Sequence, residues 1–171
     1  MRPLSPAFLS ANDRRSITPY CPMVSRLVFH MPATSAEVFE AFHNHDKRLR
    51  WDTLLSQATV EGGHCYPHVG AVSINVGRGW RRLFCLRTRF IVYDPPRLAA
   101  ATIDETAGIF NEWSASIRHR DRGDGTSNLI YTFKLGLRPR WFHWLCLDVV
   151  TAIFERQTRQ RFESLAAFLR R

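Results

Sequence analysis

Residues 139–171, PRWFHWLCLDVVTAIFERQTRQRFESLAAFLRR, form the longest stretch of the chain with helical periodicity. Pro139 suits the first turn of a helix. An apolar stripe follows at helical spacing and continues beyond a polar patch, through Phe142, Leu145, Val149, Ile153, Phe162, Leu165 and Leu169. The first half is apolar nearly all round. We therefore predict one long C-terminal helix that the rest of the chain covers on more than one side.

Six strand-like runs separated by turn residues precede this helix. They are Leu55–Val60, Val69–Val76, Arg81–Tyr93, Leu98–Ile103, Phe110–His119 and Thr126–Leu137. The connections contain Gly-Gly, Gly-Arg-Gly and Asp-Gly, which favour hairpins because glycine adopts a positive φ at low steric cost. Strands joined by hairpins are antiparallel neighbours, so the pattern predicts an antiparallel sheet.

The segment before these runs predicts a further strand and two short helices. Val24–Met31 alternates as a strand does, and Pro32 ends it. Thr34 and Glu37 have the spacing of a capping box, so a helix begins after Thr34. A short second helix or turn follows within 43–50. We expect His43 and His45 to lie near a helix C-terminus, where a cation is favoured.

These elements together predict an α+β fold of the helix-grip type. In this fold a curved seven-stranded antiparallel sheet surrounds the long C-terminal helix, with the two short helices after strand 1. Residues 23–171 form the single predicted domain. Residues 1–22 lack periodicity, and we interpret them as a poorly structured tail that need not be native, since patterned sequence begins at Met23.

The chain carries 24 Lys and Arg residues against 15 Asp and Glu residues, a formal net charge of +9. The densest basic run is on a predicted hairpin, where alternation places much of it on a solvated face: Arg78, Arg81, Arg82, Arg87 and Arg89. Nucleic acid is a disfavoured partner, because RNA binding on a sheet needs exposed aromatic side chains and the aromatics here alternate inward.

Four widely spaced cysteines, Cys21, Cys65, Cys85 and Cys146, are interpreted as free thiols in a reducing compartment. The chain has no apolar run with the length of a secretory or transmembrane segment. These observations predict a cytoplasmic protein.

The order of the elements resembles the SRPBCC superfamily, which includes START lipid-transfer domains, polyketide cyclase/dehydrase-like proteins and relatives of the birch-pollen allergen. The resemblance rests on 28–42 (VFHMPATSAEVFEAF), Trp51-Asp52, 93–96 (YDPP), Gly125-Thr126 and the final helix. It implies a cavity for an apolar ligand between the sheet and the helix. The superfamily has no shared catalytic motif, so no catalytic residue is assigned by the resemblance.

Candidate cavity residues follow from strand alternation and from the expected apolar stripe of the helix. They are Leu86, Thr88, Phe90, Trp113, Ile117, Leu129, Tyr131, Phe133, Trp141, Leu145 and Val149. Glu112 is a candidate acid or base, although alternation turns it away from the side of Trp113. Tyr131 is a candidate hydrogen-bond donor to a ligand oxygen.

The sequence calls for no cofactor and no metal. His64, Cys65 and His68 stand close together but lack a second ligand pair at suitable spacing, and we interpret them as a polar loop. There is no phosphate-binding glycine loop between a strand and a helix and no G-x-S-x-G motif.

Three functions remain open at this point. The first is binding or transport of a hydrophobic small molecule or lipid. The second is an enzyme of the polyketide cyclase/dehydrase kind, in which Tyr131 and Glu112 orient the substrate. The third is a surface binder that uses the basic hairpin on anionic lipid or nucleic acid. Ligand identity and oligomeric state stay open.

Overall fold

The structure is a computed structural model that describes residues 22–79, 85–104 and 109–171. Its described elements are, in chain order, β1 (Met23–Met31), α1 (Ser35–His43), α2 (His45–Arg48), β2 (Leu55–Val60), β3 (Val72–Gly77), β4 (Cys85–Asp94), β5 (Leu98–Ile103), β6 (Phe110–Asp121), β7 (Ser127–Leu137) and α3 (Arg140–Leu169). Residues 1–21 of the predicted tail lie outside the described residues, as do Arg81 and Arg82.

The strands within the described ranges form one seven-stranded antiparallel sheet in the order β1-β7-β6-β5-β4-β3-β2. Irregular pairing interrupts the register in β2, β4 and in the first residues of β6. Such bulges bend and twist a strand, which helps the sheet to curl around α3. The predicted helix-grip fold is therefore confirmed.

The connection from β1 to α1 is the predicted capping box. The Thr34 hydroxyl accepts a hydrogen bond from the Glu37 backbone amide at 3.4 Å, and the Glu37 carboxylate accepts one from the Thr34 amide at 2.9 Å. The apolar side chains of α1 are buried, including Val38, Phe39 and Phe42. This anchors α1 against the sheet, where it covers one end of the concave face.

The hairpin between β6 and β7 forms as the Gly-Asp-Gly sequence predicts. Gly123 and Gly125 have φ angles of +82° and +78°, which a side chain would disfavour. The Asp124 carboxylate accepts a hydrogen bond from the Thr126 amide at 3.0 Å. By contrast, β3 begins at Val72 rather than at the predicted Val69, because Gly70 turns the chain at a φ of +86°.

The main core lies between β1, β7, α1 and the C-terminal half of α3. Its central side chains are at most 1% exposed: Leu129, Phe133, Leu135, Phe162 and Leu165. The Phe162 ring lies 4.7 Å from that of Phe29 and 5.7 Å from that of Phe42. Strand β1, α1 and α3 are thus joined through one aromatic side chain.

The first half of α3 differs from the prediction. Its buried side chains are polar, His143 and Thr151, whereas Trp141, Leu145 and Val149 are 60–74% exposed. Each residue turns a helix by about 100°, so Val149 and Thr151, two residues apart, lie on nearly opposite faces of α3. The predicted apolar stripe of this half therefore faces outward, and the expectation that the half is covered on more than one side is wrong.

Two further observations concern membrane-spanning helices and the cysteines. Among the described residues, no helix has the length and apolarity that crossing a membrane requires. Cys65 and Cys146 are free thiols, as predicted. Cys21 and the side chain of Cys85 lie outside what the structure describes.

Candidate ligand-binding cavity

A cavity of about 400 Å³ lies between α3 and the concave face of β4, β5 and β6. Small-molecule sites in proteins commonly measure about 300–1,000 Å³. The sheet wall carries Ala99, Ala101 and Ala115, whose short side chains leave the space below α3 unfilled. On the helix side Ile153 lines the cavity and is 50% exposed, so the cavity reaches the surface near the middle of α3.

Six of the predicted cavity residues lie on this wall. They are Leu86, Thr88, Phe90, Trp113, Ile117 and Tyr131. They come from three strands, β4, β6 and β7, and the alternation used to select them places them on the concave face. Their contact with a ligand stays a prediction.

Two other predicted residues, Leu129 and Phe133, do not line the cavity. Both are on β7, which lies beneath the more tightly packed part of α3. The Phe133 ring lies 4.7 Å from the Phe154 ring, so aromatic packing fills the space that a ligand would need. These two side chains belong to the core.

The three predicted residues of the helix, Trp141, Leu145 and Val149, are also absent from the cavity wall. Their outward orientation corrects their proposed placement. The helix contributes Val150, Ile153 and Phe154 instead, together with two polar side chains nearer its C-terminus.

A buried ion-pair cluster forms the polar end of the cavity. The Asp52 side chain is fully buried, and its Oδ2 atom lies 3.4 Å from Arg48 Nε and 3.0 Å from Arg161 Nε. Its Oδ1 atom accepts a hydrogen bond from the Leu54 amide at 3.3 Å. A buried carboxylate requires such partners, because desolvation otherwise disfavours its charged form. Both arginines line the cavity.

Arg48 is held by more than its ion pair. Its guanidinium carbon lies 4.5 Å from the centre of the Phe42 ring, in a cation–π arrangement. Burial lowers the pKa of Arg48 to about 10, opposed by the nearby Asp52 charge and assisted by the Arg161 charge. At neutral pH the guanidinium stays protonated.

Tyr131 and His43 add two uncharged polar groups to the cavity wall. Burial raises the pKa of Tyr131 to about 12, so the phenol keeps its proton and can donate a hydrogen bond. His43 Nδ1 lies 3.0 Å from the Phe39 carbonyl oxygen, which can only accept; Nδ1 therefore carries the proton. Burial holds the pKa of His43 well below 6.5 and keeps the ring neutral.

The predicted cationic roles of His43 and His45 are consequently wrong. His45 is buried within α2, where its Nε2 lies 3.0 Å from the Ser73 hydroxyl. Burial lowers the pKa of His45 to about 4. Both imidazoles are neutral side chains in the packing between α1, α2 and the sheet.

Sequence reasoning missed the ion-pair cluster. Arg48 and Arg161 are separated by more than a hundred residues, and each stands among other arginines in the sequence. The available signal was the spacing of Arg48 and Asp52, which places them one helical turn apart. Asp52 also follows Trp51, whose indole nitrogen donates to the Ala41 carbonyl at 2.9 Å and fixes this turn against α1.

Glu112 is not part of the cavity. It forms an ion pair with Lys134 at 2.5 Å on the outer side of the sheet, and both side chains are more than a third exposed. The alternation that turned Glu112 away from Trp113 is correct. A catalytic role for Glu112 therefore has no support in its geometry.

Within the described ranges, no group of three or more His, Cys, Asp or Glu side chains is arranged to hold a metal ion. His64 and His68 are exposed, with ring centres 6.0 Å apart, and the Cys65 thiol donates to Asp46 at 3.1 Å. This segment is a polar surface loop.

The described part of the basic hairpin is largely neutralised. Arg87 lies 2.6 Å from Glu61, and Arg89 lies 2.6 Å from Asp104. A surface on which each of these arginines faces a carboxylate attracts polyanions weakly. These two arginines therefore give the surface-binder hypothesis no support, while Arg81 and Arg82 lie outside the described residues.

Comparison with solved structures shows the same fold. The Zhui aromatase/cyclase from Streptomyces sp. R1128 matches with a TM-score of 0.74 at 14% identity, over 88% of this chain and 94% of that one. A START superfamily protein from Mycobacterium smegmatis matches with a TM-score of 0.69 at 6% identity, over 86% and 97%. Ara h 8.0201 matches with a TM-score of 0.66 at 13% identity, over 86% and 97%.

The match to a family model, together with this fold, places the protein in the SRPBCC superfamily. Residues 24–170 match the family described as "Polyketide cyclase / dehydrase and lipid transport", and the chain belongs to this family. No curated protein matches the chain.

Proposed function

We propose that the protein binds and carries a hydrophobic small molecule or lipid in the cavity between α3 and β4–β6. The supporting observation is the cavity itself: about 400 Å³ of space with a mainly apolar wall, left where alanines face the helix. Protein interiors are otherwise close-packed, so an apolar cavity of this size is a candidate site for a small-molecule ligand. Its opening beside Ile153 gives a ligand a route of entry. A cytoplasmic location stays a prediction from the sequence.

Binding of the neutral fluorescent probe N-phenyl-1-naphthylamine tests this proposal, together with native mass spectrometry and solvent extraction of the purified protein. The variant Ala115→Phe places a ring in the cavity and is expected to reduce probe affinity by about tenfold or more. Overpacking costs about 1–3 kcal/mol, so thermal unfolding is measured alongside.

Ala152→Phe is the matched control. Ala152 is exposed on α3 and is not on the cavity wall, so the same substitution should leave probe affinity unchanged. Equal binding to the wild-type protein and Ala115→Phe would show that the probe binds elsewhere. A protein that neither copurifies with an apolar molecule nor binds the probe would contradict the proposal.

A second candidate function is an enzyme of the polyketide cyclase/dehydrase kind. It is favoured by the convergence of Tyr131, Arg48 and Arg161 at one end of an otherwise apolar cavity. Such groups can donate to a ketone oxygen as it gains negative charge. Conversion of a synthetic poly-β-ketone thioester to a cyclised product, lost in Tyr131→Phe, would establish this activity. An unchanged substrate would leave the carrier function.

A further inference from the structure

The polar end of the cavity carries more positive than negative charge. Arg48 and Arg161 each contribute one positive charge, and Asp52 contributes one negative charge, which leaves an excess of one. Among the described residues that line the cavity there is no Asp or Glu. His43 is neutral and adds no charge.

The excess charge lies where solvent screens it weakly. Arg48 is 8% exposed as a residue, and the Arg161 side chain is 23% exposed. A guanidinium has five N–H donors. For each arginine, Asp52 is the described carboxylate partner, and each approaches it through Nε. The terminal nitrogens of Arg161 can therefore serve a second acceptor.

Tyr131 supplies a further donor at the same place. Its ring packs against Phe162, one residue beyond Arg161, at a centroid distance of 5.5 Å. Both arginine charges act on the Tyr131 phenol. The Tyr131 side chain itself lines the cavity.

We propose that the ligand is an amphiphile with one anionic oxygen group, and that this group binds at the Arg161, Arg48 and Tyr131 end while its apolar body fills the Ala-rich part of the cavity. This inference rests on the proposed function and names its ligand class. An anion neutralises the excess charge and accepts hydrogen bonds from the phenol and the guanidinium. Arginine matches a carboxylate with two parallel N–H bonds.

A cationic or wholly apolar ligand fits this end poorly. A cation would meet two guanidinium groups at short range in a site of low dielectric constant, where like-charge repulsion is strong. An apolar group would leave the Tyr131 hydroxyl and Arg161 without acceptors while excluding the water that serves them. A neutral alcohol of the same length accepts a hydrogen bond but leaves the charge unbalanced.

The test compares dodecanoic acid with dodecan-1-ol at pH 8 by isothermal titration calorimetry. The two ligands share an apolar chain and differ in the head group. The wild-type protein is expected to bind the acid about tenfold or more tightly than the alcohol, as charge-assisted hydrogen bonds imply. The ratio of the two affinities is the measured quantity, so a general change in the cavity cancels.

Arg161→Gln removes the charge and should bring the ratio close to one, chiefly by weakening binding of the acid. Arg159→Gln is the matched control, because Arg159 is an exposed residue of the same helix and does not line the cavity. It makes the same change in net charge and should preserve the ratio. Arg161→Lys keeps the charge without the planar fork and should retain part of the preference.

The outcomes separate the two proposals. If acid and alcohol bind the wild-type protein equally, the carrier function stands and the anionic-ligand inference is wrong. Tighter binding of the alcohol than of the acid would likewise show that the anionic-ligand inference is wrong. If neither ligand binds and the neutral probe also fails, the carrier function itself is refuted. Loss of the ratio in Arg159→Gln as well as in Arg161→Gln would assign the preference to the overall charge.

Discussion

The two halves of α3 have opposite surroundings, and the more apolar N-terminal half is the more exposed of the two. In the C-terminal half Phe162 and Leu165 are at most 1% exposed, and Arg161 reaches the buried Asp52. In the N-terminal half Trp144 and Leu145 are 72% and 74% exposed. We call the part of the fold where α1, β1 and β7 meet the C-terminal half of α3 the closed end. At the closed end α3 is held by packing and charge, whereas the largest apolar side chains of its N-terminal half are in solvent.

The difference follows from what faces each half. The C-terminal half meets α1 together with β1 and β7, and side chains from three directions enclose it. The N-terminal half passes beyond α1 and lies along the opening of the cavity, where Val150 and Phe154 alone of its apolar residues contact the core. The helix is thus fixed at one end and borders a space at the other, which suits a binding cavity.

The largest expected effect concerns the ion pair that anchors the closed end. Replacing Asp52 by Asn leaves Arg48 and Arg161 buried without a counter-charge, which typically costs about 3–5 kcal/mol. Urea denaturation followed by circular dichroism should show this loss in the free energy of unfolding.

Glu112→Gln is the control for this variant. It breaks the ion pair with Lys134, which lies on the surface at 2.5 Å. Exposed pairs contribute about 0–1 kcal/mol, so this variant should remain close to the wild-type protein. Equal losses in the two variants would mean that the Asp52 cluster is hydrated in solution.

Truncating the aromatic anchor of the C-terminal half should have a comparable effect. Phe162→Ala removes a side chain that contacts Phe29, Phe42 and Tyr131, and such changes cost about 3–5 kcal/mol. Hydrogen exchange should then report faster opening of α3 between Thr158 and Leu169. Unchanged exchange in this half would contradict the assignment of Phe162 as its anchor.

Acid should destabilise the fold through two buried histidines. Burial lowers the pKa values of His45 and His119 to about 4 from 6.5. Between these values the unfolded chain binds more protons than the folded one, so stability falls as pH falls. Each histidine should contribute a loss of about 2 kcal/mol between pH 7.5 and 5.

The His119→Gln variant isolates one of these contributions. Both ring nitrogens of His119 are buried and have no hydrogen-bond partner among the described residues. The difference in unfolding free energy between pH 7.5 and 5 should shrink by about 2 kcal/mol in the variant. A pH dependence equal to that of the wild-type protein would show that His119 ionises normally in the folded state.

Sequence patterns predicted the fold because its signals are local. Alternation in the strands, the Gly-Asp-Gly turn and the capping box at Thr34 each specify a short segment, and the short connections then order β2 to β7. The pairing of β1 with β7 is not contained in any short connection. The orientation of α3 was harder to predict from the sequence. A helix that is apolar on several faces has no unique inward direction, and the location of α1 decides which half is enclosed.

Part of the cavity wall was also predictable, because strand alternation is a local signal. Strand alternation placed Leu86, Trp113 and Tyr131 on the correct wall, since successive side chains of a strand point to one or the other of only two faces. The Asp52 cluster depends on Arg161 meeting a residue more than a hundred positions earlier. A pairing at that distance is a product of the whole fold, which no local pattern contains.

The smallest expected effect concerns the exposed half of α3. Trp144→Gln and Leu145→Gln each remove apolar surface that already contacts solvent, so unfolding free energies should change by about 0.5 kcal/mol or less. Both variants should also leave probe affinity intact, because neither side chain lines the cavity. A loss of 2 kcal/mol or more, measured by urea denaturation, would show that this face is covered in solution. If that loss grew with protein concentration, the cover would be a second copy of the chain; if it did not, the cover would belong to the chain itself. Either result would remove the contrast between the two halves of α3, whereas a neutral outcome would confirm that the exposed face of the N-terminal half contributes little to stability.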